Sequence, residues 1–73
     1  MKSIDLHGKT VAEAETIFYT LLDQARIQRK LLEIVFITGT GKIHKQLQEL
    51  CSTTEIHCYV PMHNRGTLVI EFE

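Results

Sequence analysis

The sequence predicts an α/β fold: a two-layer β-α-β-α-β-β sandwich, its four-stranded mixed sheet carrying two helices on one face. Three observations point there. A long apolar repeat of helical period, Val11 to about Gln28, lies between two short β-like segments. The succession strand, glycine, lysine, helix occurs twice, at Gly8-Lys9 and at Gly41-Lys42. Beyond the second helix the period returns to two residues, in two runs separated by a turn.

Each element has its own justification. Ile4-Asp5-Leu6-His7-Gly8 reads as a short strand ending at glycine, with Ile4 and Leu6 on one face and Asp5 and His7 on the other. Thr10-Val11-Ala12-Glu13 is a capping box, and Val11, Ala14, Phe18, Leu21, Leu22 and Ala25 continue at helical spacing. Arg26, Arg29 and Lys30 close that helix, where cations suit its dipole. Leu31 to Thr38 places β-branched and aromatic residues on both faces, as a strand covered on both sides does. After Gly39-Thr40-Gly41, residues Ile43, Leu47 and Leu50 give a shorter helix to about Cys51, with Ser52-Thr53-Thr54 as a loop. Ile56 to Val60 alternates as a strand. Asn64-Arg65-Gly66 ends a turn region, and Thr67 to Phe72 is the last strand.

The order carries a geometric consequence. Strand-helix-strand units have right-handed crossovers, so the first three strands point the same way and share one carboxyl edge. The loops at Gly8-Lys9, Gly39-Thr40-Gly41 and Met62 to Gly66 all leave from that edge, where open α/β sheets place their ligands. With both helices on one face, the other is at least partly open. Either Val35 and Ile37 or Ile34 and Phe36 then lie on that open side.

Composition bounds the function. Seventy-three residues make one domain, 1–73, with a small core. Hydrophobic content of 44% and charged content of 23% fit a globular domain and exclude a disordered tail. Asp5 and His7 interrupt any secretory signal before an apolar stretch forms, so a cytoplasmic location is expected. Cys51 and Cys58 form no CxxC pair and read as reduced thiols; the four histidines show no zinc-finger spacing. The net charge of −1 argues against strong global attraction to nucleic acid, which leaves the local cations Lys9, Lys42, Lys45 and Arg65 to explain.

Two features carry chemistry. The first turn of the second helix holds Lys42, His44 and Lys45 with no acid, against the helix dipole. An anion on the free amides after Gly39-Thr40-Gly41 makes that placement useful; alternatively the glycines only shape a turn and the lysines are solvated. Asp5 and His7 offer a carboxylate and an imidazole at one strand end. They suit a magnesium or manganese ion completed by phosphate and water, or acid–base work by the imidazole alone. The plain alternative is an aspartate receiving loop N–H bonds beside an exposed histidine.

Ile4-Asp5-Leu6-His7-Gly8, Thr10-Val11-Ala12-Glu13-Ala14, Ile37-Thr38-Gly39-Thr40-Gly41 and Asn64-Arg65-Gly66 together resemble the Smr domain, in the order its motifs take. The resemblance covers essentially the whole chain. It implies the β-α-β-α-β-β sandwich and binding of DNA or RNA, and several members act as endonucleases of low sequence preference. By the same resemblance Asp5 and His7 match the strand motif tied to cleavage. Gly39 and Gly41 match the loop tied to nucleic-acid binding, and Lys45 looks like a basic residue usual early in the second helix. Two positions depart from the pattern: Thr38 stands where many members have histidine, and His44 where an apolar residue is more usual.

The resulting expectation is a nucleic-acid-binding domain and low-specificity endonuclease. Asp5 and His7 would be catalytic, with Lys9, Gly39, Thr40, Gly41, Lys42, Lys45 and Arg65 binding the nucleic acid. The alternative is a non-catalytic module of the same fold that binds RNA, the ribosome or a protein, with a second copy of the chain as one way to cover the open sheet face.

Overall fold

The computed structural model describes residues 2–73. Strand β1 (Lys2–Asp5) leads to helix α1 (Val11–Gln28), strand β2 (Leu32–Ile37) and helix α2 (Lys42–Thr54), then strands β3 (His57–Tyr59) and β4 (Thr67–Phe72). The sheet order is β1-β2-β4-β3. β1 pairs with β2 in parallel, whereas β4 is antiparallel to both β2 and β3, so β1, β2 and β3 share a direction. The sandwich expected from the sequence is the one observed.

Helix α1 begins as its sequence dictates. The Glu13 N–H donates to Thr10 Oγ1 at 3.1 Å, and the Thr10 N–H donates to Glu13 Oε1 at 2.9 Å. The Thr10 backbone N–H, its hydroxyl and nearby Lys9 together hold the Glu13 carboxyl below the usual carboxylate range. Both helices end on a residue in the left-handed region, Arg29 at φ 54° and Glu55 at φ 59°. In each case the next N–H, of Lys30 or Ile56, reaches back to the carbonyl of Ala25 or Cys51.

Two boundaries differ from expectation. The first strand stops at Asp5, although the Leu6 N–H still reaches the Ile37 carbonyl at 2.9 Å. His7 and Gly8 belong to a turn closed by Lys9 N–H on the Leu6 carbonyl at 3.0 Å. Gly8 has φ +80°, which only glycine adopts without strain in this turn. The chain must reverse here to start α1, and pairing ends first. Ser52-Thr53-Thr54, expected as a loop, instead forms the last turn of α2. The Thr54 hydroxyl satisfies itself on the Leu50 carbonyl at 2.7 Å, so it does not compete for loop contacts. The buried Leu50 and Cys51 keep that turn docked.

Both helices cover the same sheet face. Ile34, Phe36, Leu68, Ile70 and Phe72 meet Phe18, Leu22, Leu47 and Leu50 in one core. Phe72 stands at its centre, edge-on to Phe18 at 5.2 Å and to Phe36 at 6.2 Å between ring centroids. Cys51 and Cys58 are free thiols bridging α2 and β3 on this side, and burial, reinforced by Cys58, raises the Cys51 pKa. The opposite face presents Val35, Ile37, Val69 and Tyr59, which settles the choice left open by the sequence in favour of Val35 and Ile37. Among the described residues, no helix is long and apolar enough to cross a membrane.

Candidate nucleic-acid interface

Register brings the expected loops together. Asp5 pairs with Ile37, and Ile37 pairs with Thr67, so the ends of β1 and β2 and the start of β4 form one row. Beyond that row lies a cleft of about 350 Å³ lined by His7, Ile37, Thr38, Gly39, Asn64, Gly66 and Thr67. Three separate reversals of the chain therefore meet at one rim.

The rim is tied by hydrogen bonds. The Thr38 and Gly39 N–H groups both donate to the Gly66 carbonyl, each at 2.9 Å. The Thr67 hydroxyl donates to the Asn64 carbonyl at 2.9 Å, which accounts for a threonine buried on this face. At the other side the His7 N–H donates to Asp5 Oδ1 at 2.8 Å. That bond holds the imidazole-bearing turn against the carboxylate, so Asp5 and His7 stay neighbours without sharing a strand.

The expected site residues divide into two groups. His7 and Gly39 line the cleft. Asp5, Lys9, Thr40, Gly41, Lys42, Lys45 and Arg65 are exposed on the segments that lead into and out of it. Gly39 does not offer its amide to a ligand, because Gly66 already takes it. The open donors lie further on. Gly41 is the N-cap of α2 and supplies no side-chain cap, so the N–H groups of the first turn have no intrahelical acceptor, and that turn contains no acid.

The two glycines of the loop differ physically. Gly39 has φ +69°, while Gly41 has φ −95°, and neither would bring an added methyl within 4 Å of another group. Gly39→Ala should therefore cost about 1–2 kcal/mol through backbone strain alone. Gly41→Ala, at a negative φ, should cost less. Urea unfolding of the two variants measures the difference.

The sequence placed Asn64 and His44 on this edge without giving either a role, and placed Thr67 only as the start of the last strand. The Thr38 hydroxyl lies 2.8 Å from His44 Nδ1 and donates to the carbonyl of Gly39 at 2.8 Å, with that of Gly66 at 3.4 Å. The two departures from the motif pattern, Thr38 and His44, are thus bonded to each other. Their joint occurrence was the signal in the sequence.

Comparison with known proteins agrees with this architecture. The family model described as Smr domain matches residues 4–69. Among solved structures, the Smr domain of Thermus thermophilus MutS2 is similar with a TM-score of 0.77, at 22% identity, over 100% of this chain and 99% of that one. No curated protein matches the chain.

Proposed function

The chain belongs to the Smr domain family, known as a nucleic-acid-binding and endonuclease-associated module, and we propose that it binds DNA or RNA at the loop-bearing edge and hydrolyses phosphodiester bonds there. The observation that carries this reading is the convergence of His7, Gly39 and the Asn64–Gly66 turn on one cleft beside an uncapped, acid-free helix start.

Backbone phosphates would rest on the first-turn amides of α2, with Lys42 and Lys45 beside them and Lys9 and Arg65 on the flanking turns. The His7 imidazole, on a turn whose His7 backbone N–H donates to Asp5, would take or give the proton of the attacking or leaving oxygen. Asp5 spends Oδ1 on that bond and is otherwise exposed, so its carboxylate suits a magnesium or manganese ion whose remaining ligands are phosphate and water. Such an ion would supply Lewis acidity at the phosphate. The cations and helix amides would stabilise charge developing on the phosphate oxygens.

Salt dependence tests the binding. With the four cations Lys9, Lys42, Lys45 and Arg65 engaged, log affinity should fall against log salt with a slope no steeper than about −3.6 on duplex DNA. Lys42→Ala with Lys45→Ala should reduce that slope by about 1.8 and weaken binding to all sequences alike. A slope near zero in the parent chain would remove phosphate contact from this edge.

A further inference from the structure

We propose that the sheet face turned away from the helices docks an extended basic segment of a partner protein, with lysine or arginine at positions i and i+4 and an apolar residue at i+2. The inference goes beyond nucleic-acid binding and uses the sheet face, which meets the cleft only along its end row of Asp5, Ile37 and Thr67. Three rows of side chains make up the face: Asp5, Ile37 and Thr67; then Ser3, Val35, Val69 and Tyr59; then Glu33, Glu71 and His57. Val69 at its centre is buried and Val35 half-buried, while the apolar side chains beside them, Ile37 and Tyr59, are 42% and 43% exposed.

Charge identifies the occupant. Carboxylates flank the apolar centre at both ends, Asp5 on one side and Glu33 with Glu71 on the other, and among the described strand residues of this face there is no lysine or arginine. Glu33 and Glu71 are directly opposed across neighbouring strands, an arrangement that costs stability unless a cation stands between them. His57 Nε2 lies 3.6 Å from Glu71 and relieves the repulsion only when its ring is protonated. A partner cation would relieve it at any pH. Nucleic acid is repelled here, and a second copy of the chain would double the same set of carboxylates.

Spacing gives the pattern. Glu33 and Ile37 are four residues apart on β2, about 13 Å along the strand, and Asp5 shares the row of Ile37. In an extended partner, residues i and i+4 are also about 13 Å apart on one side, with i+2 between them. The apolar side chain then meets Val35, Ile37 and Tyr59 while the two cations reach the carboxylates.

The test is an amide-shift titration of the isotope-labelled chain with a synthetic peptide repeating Lys-Ser-Leu-Ser. Shifts should centre on Val35, Ile37, Val69 and Tyr59. Peptides repeating Glu-Ser-Leu-Ser or Lys-Ser-Ser-Ser should bind at least about tenfold more weakly. Glu33→Lys with Glu71→Lys should weaken the Lys-Ser-Leu-Ser peptide by about tenfold or more, and the milder Glu33→Gln with Glu71→Gln by less, the Gln pair still binding nucleic acid at the loop-bearing edge. Shifts elsewhere on the molecule, equal binding of any control peptide, or self-association of the chain abolished by Ile37→Glu would each overturn the proposal.

Discussion

Phe72→Ala is expected to destabilise the fold by about 3–5 kcal/mol. Phe72 is fully buried and joins Phe18 on α1 to Phe36 on the central strand, so its removal opens a cavity between both layers. A chain of 73 residues has a total stability of roughly 4–11 kcal/mol, so one substitution consumes about a quarter of it or more. Urea unfolding should show the midpoint falling steeply, while Phe72→Leu, which keeps most of the volume, should lose much less. A loss under about 1 kcal/mol for the alanine variant would mean that the helices and the sheet are not packed through this ring.

His7→Ala should abolish phosphodiester cleavage, a loss of about 10²–10⁴-fold. The imidazole is an exposed side chain lining the cleft, so the variant should fold and bind nucleic acid as the parent does. Asp5→Asn separates two roles of the aspartate. Its amide oxygen can still accept the His7 N–H, but the negative charge is gone. If the carboxylate acts through charge, Asp5→Asn is as inactive as Asp5→Ala; if it only holds the turn, Asp5→Asn retains activity. Supercoiled plasmid and structured RNA, each with and without divalent metal, are the substrates to compare. Cleavage that survives in both His7→Ala and Asp5→Ala would locate the chemistry elsewhere, and a parent chain that cuts neither substrate would leave binding alone.

Much of the fold was legible because local and global signals agree. The Thr10–Glu13 capping box, the helical repeat through Ala25 and the alternation from Thr67 to Phe72 each specify the element that forms. The misread boundaries are those where a tertiary contact overrides local preference. Ser52-Thr53-Thr54 looks like a loop by composition, yet the Thr54 hydroxyl bonds back along the helix and buried neighbours hold the turn. His7 looks like a strand residue by alternation, but the reversal into α1 ends the pairing first.

The candidate site was partly legible. Residues on the motif glycines and loops could be read directly, since turn geometry is local. The Gly66 carbonyl that binds two amides could not, because it joins segments far apart in order. The Thr38–His44 bond is local, and the two unusual residues at those positions were its only trace in the sequence. The same limit applies to the open sheet face. Periodicity shows that β2 is apolar on both sides, whereas only the register with β4 reveals Glu33 opposite Glu71.

The decisive measurement is a map of backbone amide shifts as a short single-stranded oligonucleotide is added to the labelled chain in low salt. The largest changes are predicted at Thr40, Gly41, Lys42 and Ile43 and at His7 and Arg65, with Val35, Val69 and Glu71 unmoved. Such a pattern would show that bends remote in sequence act as one phosphate-gripping lip. Changes spread over the acidic sheet surface, with that lip silent, would contradict it.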